Sequence, residues 1–136
     1  MKQRVIVAAL VNDGDKYLFL KQNKTDGAYP DMLVIPGGGL ELGENPDDAM
    51  RRELLEETNI TVKNLKPFNF DTAIRDYKGD VYQLIFLQYT AEYGDGEPKA
   101  GSDAKELVWV DKKDLENQPI NEAAMKLLKD VGVVSS

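Results

Sequence analysis

Residues 38–60 read GGLELGENPDDAMRRELLEETNI, and this stretch contains a helix whose start and end are both marked in the sequence. A helix is predicted over Pro46–Thr58, because Asn45 is a preferred N-cap residue and proline fits the first helical position. Asn59 tolerates the left-handed conformation in which many helices end, so it predicts the stop. The sequence therefore specifies both ends of this helix.

Three carboxylates follow one another on this helix. Glu53, Glu56 and Glu57 stand at positions i, i+3 and i+4, so they project from one face within about 100° of arc. Their mutual repulsion favours a cation beside them, and hard oxygen ligands suit Mg²⁺ or Mn²⁺. Taken alone, the pattern also fits a solvated helix face on which Arg52 and Glu56 form an exposed ion pair.

The composition bounds the chemistry that the chain can perform. Its 136 residues suffice for one hydrophobic core, so we expect a single domain over residues 1–136. The absence of cysteine and histidine excludes disulfides, thiol nucleophiles and Ser-His-Asp catalysis. With a net charge of −7 and no basic stripe, binding to nucleic-acid polymers or anionic membranes is not expected. No apolar run approaches the roughly 20 residues of a transmembrane helix, so a cytoplasmic protein is expected.

Strand and helix patterns alternate along the chain. Two β-rich runs, Val5–Val11 and Tyr17–Lys21, flank a turn-forming cluster and predict a hairpin. Val81–Ala91 is almost continuously apolar at its centre, which predicts a central strand buried on both faces. The other predicted elements are a strand at Met32–Ile35, a loop at Ile35–Gly39, strand and turn over Ile60–Phe70, a loop at Tyr93–Asp103, a strand at Glu106–Val110, a short helix after Asp111 and a terminal helix near Asn121–Asp130. The expected class is α/β (α+β), as an α/β/α sandwich with a mixed central sheet.

The fixed positions within residues 38–60 resemble the Nudix box, the signature of MutT-like hydrolases that act on a nucleoside diphosphate linked to another moiety. The match runs from Gly38 through Glu44 and Arg52 to the three glutamates of the helix. Asn59 stands where the family has glycine, and because asparagine tolerates the same backbone conformation, we expect the helix stop to be kept. The resemblance favours the metal site over the solvated helix face.

The resemblance also implies roles for individual residues. Glu53, Glu56 and Glu57 would bind one or more Mg²⁺ ions, or Mn²⁺, with the carbonyl of Gly38 as a further ligand. Glu56 or a downstream acid would accept the proton of the attacking water. Arg52 would orient a ligating glutamate, and Glu44, at the start of the motif, is expected to have a similar role.

Residues outside the box have two interpretations each. Asp103 and Glu106 stand where the family often has a general base or an additional ligand, and each is also explained as an ordinary loop acid. Lys21 ends a predicted strand and either contacts phosphate or protects a sheet edge. The candidates for contact with the base or sugar, with core packing as the alternative for the aromatic ones, are Tyr29, Phe70, Arg75 and Tyr77.

Dispersed matches resemble a narrower group, the bacterial Nudix nucleoside triphosphatases that prefer pyrimidine deoxynucleotides. These matches are Gln3–Val7, 26–30, 68–75 and Asn121. The expected function is a Mg²⁺-dependent pyrophosphohydrolase that converts a nucleoside triphosphate to its monophosphate and pyrophosphate. The alternatives are a nucleotide-sugar pyrophosphatase and a non-catalytic nucleotide-sensing module.

The expected partner is a small nucleotide substrate. The apolar central strand is compatible with a homodimer, although no residue demonstrates one. The sequence leaves open the base, the sugar, the leaving group, the number of metal ions, the identity of the general base and the physiological role.

Overall fold

The strands of the protein form one mixed sheet in the computed structural model, which describes residues 1–21, 31–101 and 106–135. The strands are β1 (Lys2–Asp13), β2 (Lys16–Lys21), β3 (Leu33–Val34), β4 (Gly37–Gly39), β5 (Thr61–Tyr77), β6 (Asp80–Asp95) and β7 (Glu106–Asp111). The helices are α1 (Pro46–Thr58) and α2 (Glu122–Val131), and a 3-10 helix (Lys112–Asn117) precedes α2. No helix within these described ranges is long and apolar enough to cross a membrane.

Strand β1 organises the sheet. It runs parallel to β6 and antiparallel to β2 and β4. The strand order is β3-β2-β1-β6-β5, with β4 also paired to β1 and β7 also paired to β2. The hairpin between β1 and β2 turns at Gly14, whose φ of 61° is left-handed. The predicted hairpin and the predicted mixed sheet are both confirmed.

One helix covers each face of this sheet. Because successive side chains of a strand point to opposite faces, Val7 and Ala9 of β1 pack towards α1, whereas Leu10 packs towards α2. The buried helix residues that complete the two clusters are Ala49, Met50 and Leu54 in α1 and Ala124, Leu127 and Leu128 in α2. The arrangement confirms the predicted α/β/α sandwich.

The ends of α1 lie where the sequence predicts them. The side chain of Asn45 accepts a hydrogen bond from the backbone N–H of Asp47 at 2.9 Å, which satisfies a donor of the first turn. Asn59 has a φ of 61° and donates its N–H to the carbonyl of Leu55 at 3.0 Å. Helix α2 begins after Asn121 in the same way, with an Asn121 side-chain bond to Ala124 N at 2.8 Å.

The prediction that the Val81–Ala91 strand is buried on both faces is wrong for its first half. Along β6, which is described throughout, Val81 is 37% exposed, and full burial is reached only near Tyr89 and Ala91. Strands β5 and β6 form a long ribbon that extends beyond both hydrophobic clusters, and neither cluster contains a residue of 68–77. Apolar side chains of β5 in residues 68–77 therefore lie outside the core.

Three predicted boundaries also differ from the structure. Gly37–Gly39 is a strand rather than a loop, because glycine allows a very close approach to β1, and a Cβ at Gly37 would overlap the carbonyl oxygen of Val7. Strand β5 continues past Phe70 to Tyr77. Residues 93–95 belong to β6 rather than to a loop, because they pair with the beginning of β5.

Candidate active site

The glutamates of α1 lie against the glycine strand β4. The carboxylate of Glu53 is so close to Gly38 that a Cβ at residue 38 would overlap it. Glu57 Oε1 accepts a hydrogen bond from the backbone N–H of Gly37 at 2.8 Å. The glycine and glutamate positions of the motif are therefore spatial neighbours, and the absence of a side chain at residue 38 is what allows the contact.

The Arg52 guanidinium connects α1 to the loop before it. Its Nε and Nη2 donate to the two carboxylate oxygens of Glu44 at 2.8 and 3.0 Å. Its Nη1 donates to Glu53 Oε1 at 2.9 Å and lies 3.3 Å from Glu56 Oε2, while Nη2 reaches the Gly39 carbonyl at 3.2 Å. A planar guanidinium with this many partners constrains the orientation of all of them.

These contacts keep Arg52 and Glu44 ionised. The hydrogen bond from Arg52 lowers the pKa of Glu44 below its ordinary value, and the same bond is the largest cause of the raised pKa of Arg52. Glu44 also accepts a hydrogen bond from the backbone N–H of Glu41 at 3.2 Å. Glu44 thus anchors the arginine that contacts the other carboxylates.

The donor atoms beside β4 suit a hard divalent cation. Glu53, Glu56 and Glu57 supply carboxylate oxygens, and Gly38, which lies against Glu53, has a backbone carbonyl; oxygen ligands of these kinds are preferred by Mg²⁺ and Mn²⁺. The side chain of Glu56 is 59% exposed and that of Glu53 is 14% exposed, so the site lies at the surface. As the side chains stand, no three acidic groups in the described parts of the chain are close enough together to hold an ion. The residues fit such an ion in chemical type.

The segment after β6 is attached to the carboxyl end of α1. The backbone N–H groups of Lys99 and Gly101 donate to the carbonyls of Thr58 and Glu57 at 2.9 and 3.1 Å. These bonds satisfy two of the carbonyls that a helix leaves open at its end. Asp103, one of the candidate bases, falls in 102–105 and lies outside the described residues.

Lys21 and Glu106 are brought together by the pairing of β2 with β7, in which they are register partners. On its other side Lys21 is opposite Leu33 of β3, so it does not lie on a sheet edge, and the edge-protection interpretation is wrong. Neither residue contacts the α1 glutamates through a hydrogen bond or ion pair in the described ranges.

A cavity of about 210 Å³ lies beside Gly38 and Glu57, on the α2 face of the sheet. Its floor includes Ile6 and Ala8 of β1, and its other lining residues include Phe86, Gln88 and Asn121. In the parallel register Ile6 is opposite Phe86 and Ala8 is opposite Gln88. The sequence did not identify Phe86 and Gln88 as lining residues. Alternation shows that they share one face of β6, but only the pairing of β6 with β1 shows that this face lines the cavity.

A second cavity of about 580 Å³ adjoins the first one. The two cavities share Phe86 and Asn121, and the second extends along β5 and α2 to Arg75 and Lys126. Arg75 therefore lines the larger cavity, and its contact with substrate stays a prediction. Tyr29 lies outside the described residues.

Phe70 and Tyr77 do not line these two cavities. Phe70 is 75% exposed and lies near the start of α1, beside Phe68. Tyr77 is 58% exposed and packs edge-on against Tyr82, with ring centroids 6.3 Å apart. Core packing, the alternative for both aromatic residues, is wrong because the ribbon carries them beyond the core.

Tyr89 fixes the start of α1 to the sheet. Its hydroxyl donates to Asp47 Oδ1 at 2.7 Å, and its side chain is buried. Burial raises the pKa of Tyr89, and the Asp47 carboxylate raises it further. The sequence contains no sign of this bond, because the two residues are 42 positions apart.

The chain is similar to known proteins in sequence and in fold. The sequence matches the family model of the NUDIX domain over residues 1–131. The nucleoside triphosphatase NudI of Escherichia coli K12 is 30% identical over 141 residues, an alignment that covers 98% of this chain and 100% of that protein.

Two solved structures are similar to the whole described fold. The MutT NUDIX hydrolase from Burkholderia pseudomallei has a TM-score of 0.82 and 25% identity, covering 96% of this chain and 99% of that one. A MutT protein from Bacillus halodurans has a TM-score of 0.79 and 26% identity, covering 94% and 81%.

Proposed function

Because this chain belongs to the Nudix hydrolases and acts on phosphorus anhydride bonds, we propose that it is a Mg²⁺-dependent nucleoside triphosphate pyrophosphohydrolase, giving a monophosphate and pyrophosphate. The observation that carries the proposal is the contact of Glu53 and Glu57 with the glycine strand, next to a cavity. A relative at 30% identity is a nucleoside triphosphatase, which supports a triphosphate as the substrate.

Glu53, Glu56, Glu57 and the carbonyl of Gly38 would hold the Mg²⁺, with Mn²⁺ as the alternative ion. Such an ion, when bound, neutralises phosphate oxygens and makes a coordinated water more acidic. The donor set supports this assignment, because all four groups are oxygens and three of them are carboxylates.

The remaining polar groups would position the reactants. Glu56 is the most exposed of the carboxylates that contact Arg52, so it can reach a solvent-derived water and accept its proton. Arg52 would hold Glu53 and Glu56 in orientation, with Glu44 holding Arg52. Asp103 and Glu106 remain alternative candidates for the general base.

The nucleoside would occupy the cavity beside Glu57. Gln88 and Asn121 offer amide groups for hydrogen bonds, and Phe86 offers an aromatic surface. Lys21, Tyr29 and Arg75 stay candidates for substrate contact, and Arg75 lines the adjoining cavity.

Several further expectations are part of the same proposal. The chain would work as a single catalytic domain over residues 1–136 on a small nucleotide, without binding nucleic-acid polymers or membranes. A cytoplasmic location and a homodimer stay predictions, which cell fractionation and light scattering would test.

The testing experiment is a panel of canonical and modified nucleoside triphosphates together with nucleotide sugars. Each compound is incubated with Mg²⁺, with Mn²⁺ and with chelator, and the release of pyrophosphate and monophosphate is measured. Metal-dependent pyrophosphate release from a few triphosphates is expected and would identify the base. Turnover confined to nucleotide sugars would contradict the triphosphate proposal, and metal binding without turnover on any compound would indicate a sensing module.

A further inference from the structure

Arg4 lies at the margin of the candidate active site, next to the third glycine of β4. A Cβ at Gly39 would overlap the Nη2 atom of Arg4, so the guanidinium occupies the space that a side chain at residue 39 would need. Gly39 is the register partner of Ile6, two residues after Arg4 on β1. Because alternate strand residues share a face, Arg4 follows Ile6 and Ala8 along the face that lines the cavity.

Two arginines therefore flank Gly39, and they differ in their partners. Arg52 donates to the carbonyl of Gly39 and to carboxylates of Glu44 and Glu53. Arg4 is exposed, and within the described ranges no carboxylate or carbonyl accepts a hydrogen bond from it. The charge of Arg52 is engaged by the protein, whereas that of Arg4 faces solvent beside an acidic site.

We propose that Arg4 is a substrate-binding residue that contacts a phosphate oxygen of the nucleotide. The inference rests on the proposed function, in which the phosphates lie beside Gly38 and its carboxylate neighbours. Gly39 is opposite Ile6, which lines the cavity together with Gly38 and Glu57, so a group against Gly39 borders the space proposed for the nucleotide. A guanidinium presents donors in a planar fork that matches phosphate oxygens and stays charged at every working pH.

The same contact accounts for the glycine at residue 39. Gly37 is required by the close approach of β4 to β1, and Gly38 by the carboxylate of Glu53. Gly39 makes room for the guanidinium of Arg4, and this packing positions the side chain without a hydrogen bond from it to a residue of the described ranges.

The first test compares Arg4→Ala and Arg4→Lys with the matched control Arg51→Ala. Arg51 is also exposed, but it lies on α1 beside a separate small cavity lined by Leu54 and Ile60. With a triphosphate substrate, we expect Arg4→Ala to raise KM by about 10-fold or more, as for loss of a charge-assisted hydrogen bond, with a smaller change in kcat. Arg4→Lys should recover part of this loss, and Arg51→Ala should match wild type.

The second test measures binding without turnover. Calorimetry with Ca²⁺ in place of Mg²⁺ would compare inorganic tripolyphosphate and a nucleoside triphosphate on wild type and Arg4→Ala. We expect both ligands to lose affinity by a similar factor. Unchanged affinity for both ligands, or a loss confined to the nucleotide, would overturn the phosphate assignment. Wild-type protein that hydrolyses no triphosphate would refute the proposed function separately, since the tripolyphosphate measurement does not depend on turnover.

Discussion

The carboxylate of Glu53 occupies the space into which a side chain at residue 38 would project, so Gly38 and Glu53 are positioned by each other. The two residues are separated by a loop and two turns of helix, yet they meet because β4 pairs with β1 and α1 packs beside it. This contact provides a direct test of the site.

Gly38→Ala should reduce metal-dependent turnover by at least about 10-fold. This is the lower end of the loss expected when a residue that positions a metal ligand is changed. The added methyl group displaces the end of a flexible side chain rather than backbone, so the melting temperature of the metal-free protein should change little. Initial rates across a Mg²⁺ titration, together with thermal melts, check this. Wild-type rates in the variant would mean that the Glu53 position is unimportant for catalysis.

Glu56→Gln should lower kcat by about 10²- to 10⁴-fold, whether it removes a general base or a ligand. Glu116→Gln, an exposed acid in the 3-10 helix, is the matched control and should match wild type. A pH–rate profile separates the two roles, because loss of a general base removes the fall in rate that its protonation causes at acidic pH. Unchanged metal-dependent turnover in Glu56→Gln would show that the assigned mechanism is wrong.

Arg52→Lys should lower kcat by about 10- to 100-fold, because an ammonium group cannot reproduce the forked contact with Glu44 while also reaching Glu53. Glu44→Gln should have an effect in the same direction. If both act through one network, the double variant should lose less activity than the product of the single losses. Fully multiplicative losses would argue that the two residues act independently.

We expect the protein to lose stability at alkaline pH because of the buried hydroxyl of Tyr89. Its pKa is raised in the folded protein, so the stability that it contributes is complete below about pH 10 and is lost as the pH rises through the folded-state pKa. Tyr89→Phe should lower the free energy of unfolding by about 1 kcal/mol at neutral pH through loss of the Asp47 bond.

The variant should then lose less stability than wild type when the pH is raised from 8 to 11. Denaturant unfolding at both pH values measures this difference, with the exposed Tyr77→Phe as control. Parallel alkaline losses in wild type and Tyr89→Phe would contradict the assignment.

Strand β5 ends the described sheet, and two of its backbone N–H groups donate to the side chain of the preceding residue. Asn69 Oδ1 accepts from the N–H of Phe70 at 2.9 Å, and Asp71 Oδ1 accepts from the N–H of Thr72 at 2.8 Å. Unpaired edge groups are templates for pairing with another chain. The Asn69→Ala/Asp71→Ala variant should therefore self-associate at lower concentration than wild type, as measured by light scattering over a dilution series.

The control for that variant is Asn69→Ala/Asp76→Ala, which removes the same charge from the same strand but keeps the Asp71 bond. Equal self-association of the two double variants would show that exposure of the Thr72 N–H is not responsible.

The sequence by itself determined the local features of this protein. The limits of α1 follow from Asn45 and Asn59, because capping depends on residues within one turn of the helix end. The hairpin around Gly14 and the start of α2 at Asn121 are local in the same sense. The spacing of the α1 glutamates also follows from the sequence, because helical geometry alone places them on one face.

Only the tertiary structure decided which distant groups meet. Lys21 is opposite Glu106 and Leu33 rather than at an edge, and Val81 lies in a ribbon beyond the core. Arg4 and Arg52 flank Gly39 because β1, β4 and α1 converge there. Strand pairing joins residues far apart in sequence, and burial depends on what packs above a strand. Neither property is contained in the alternation or spacing of the residues themselves.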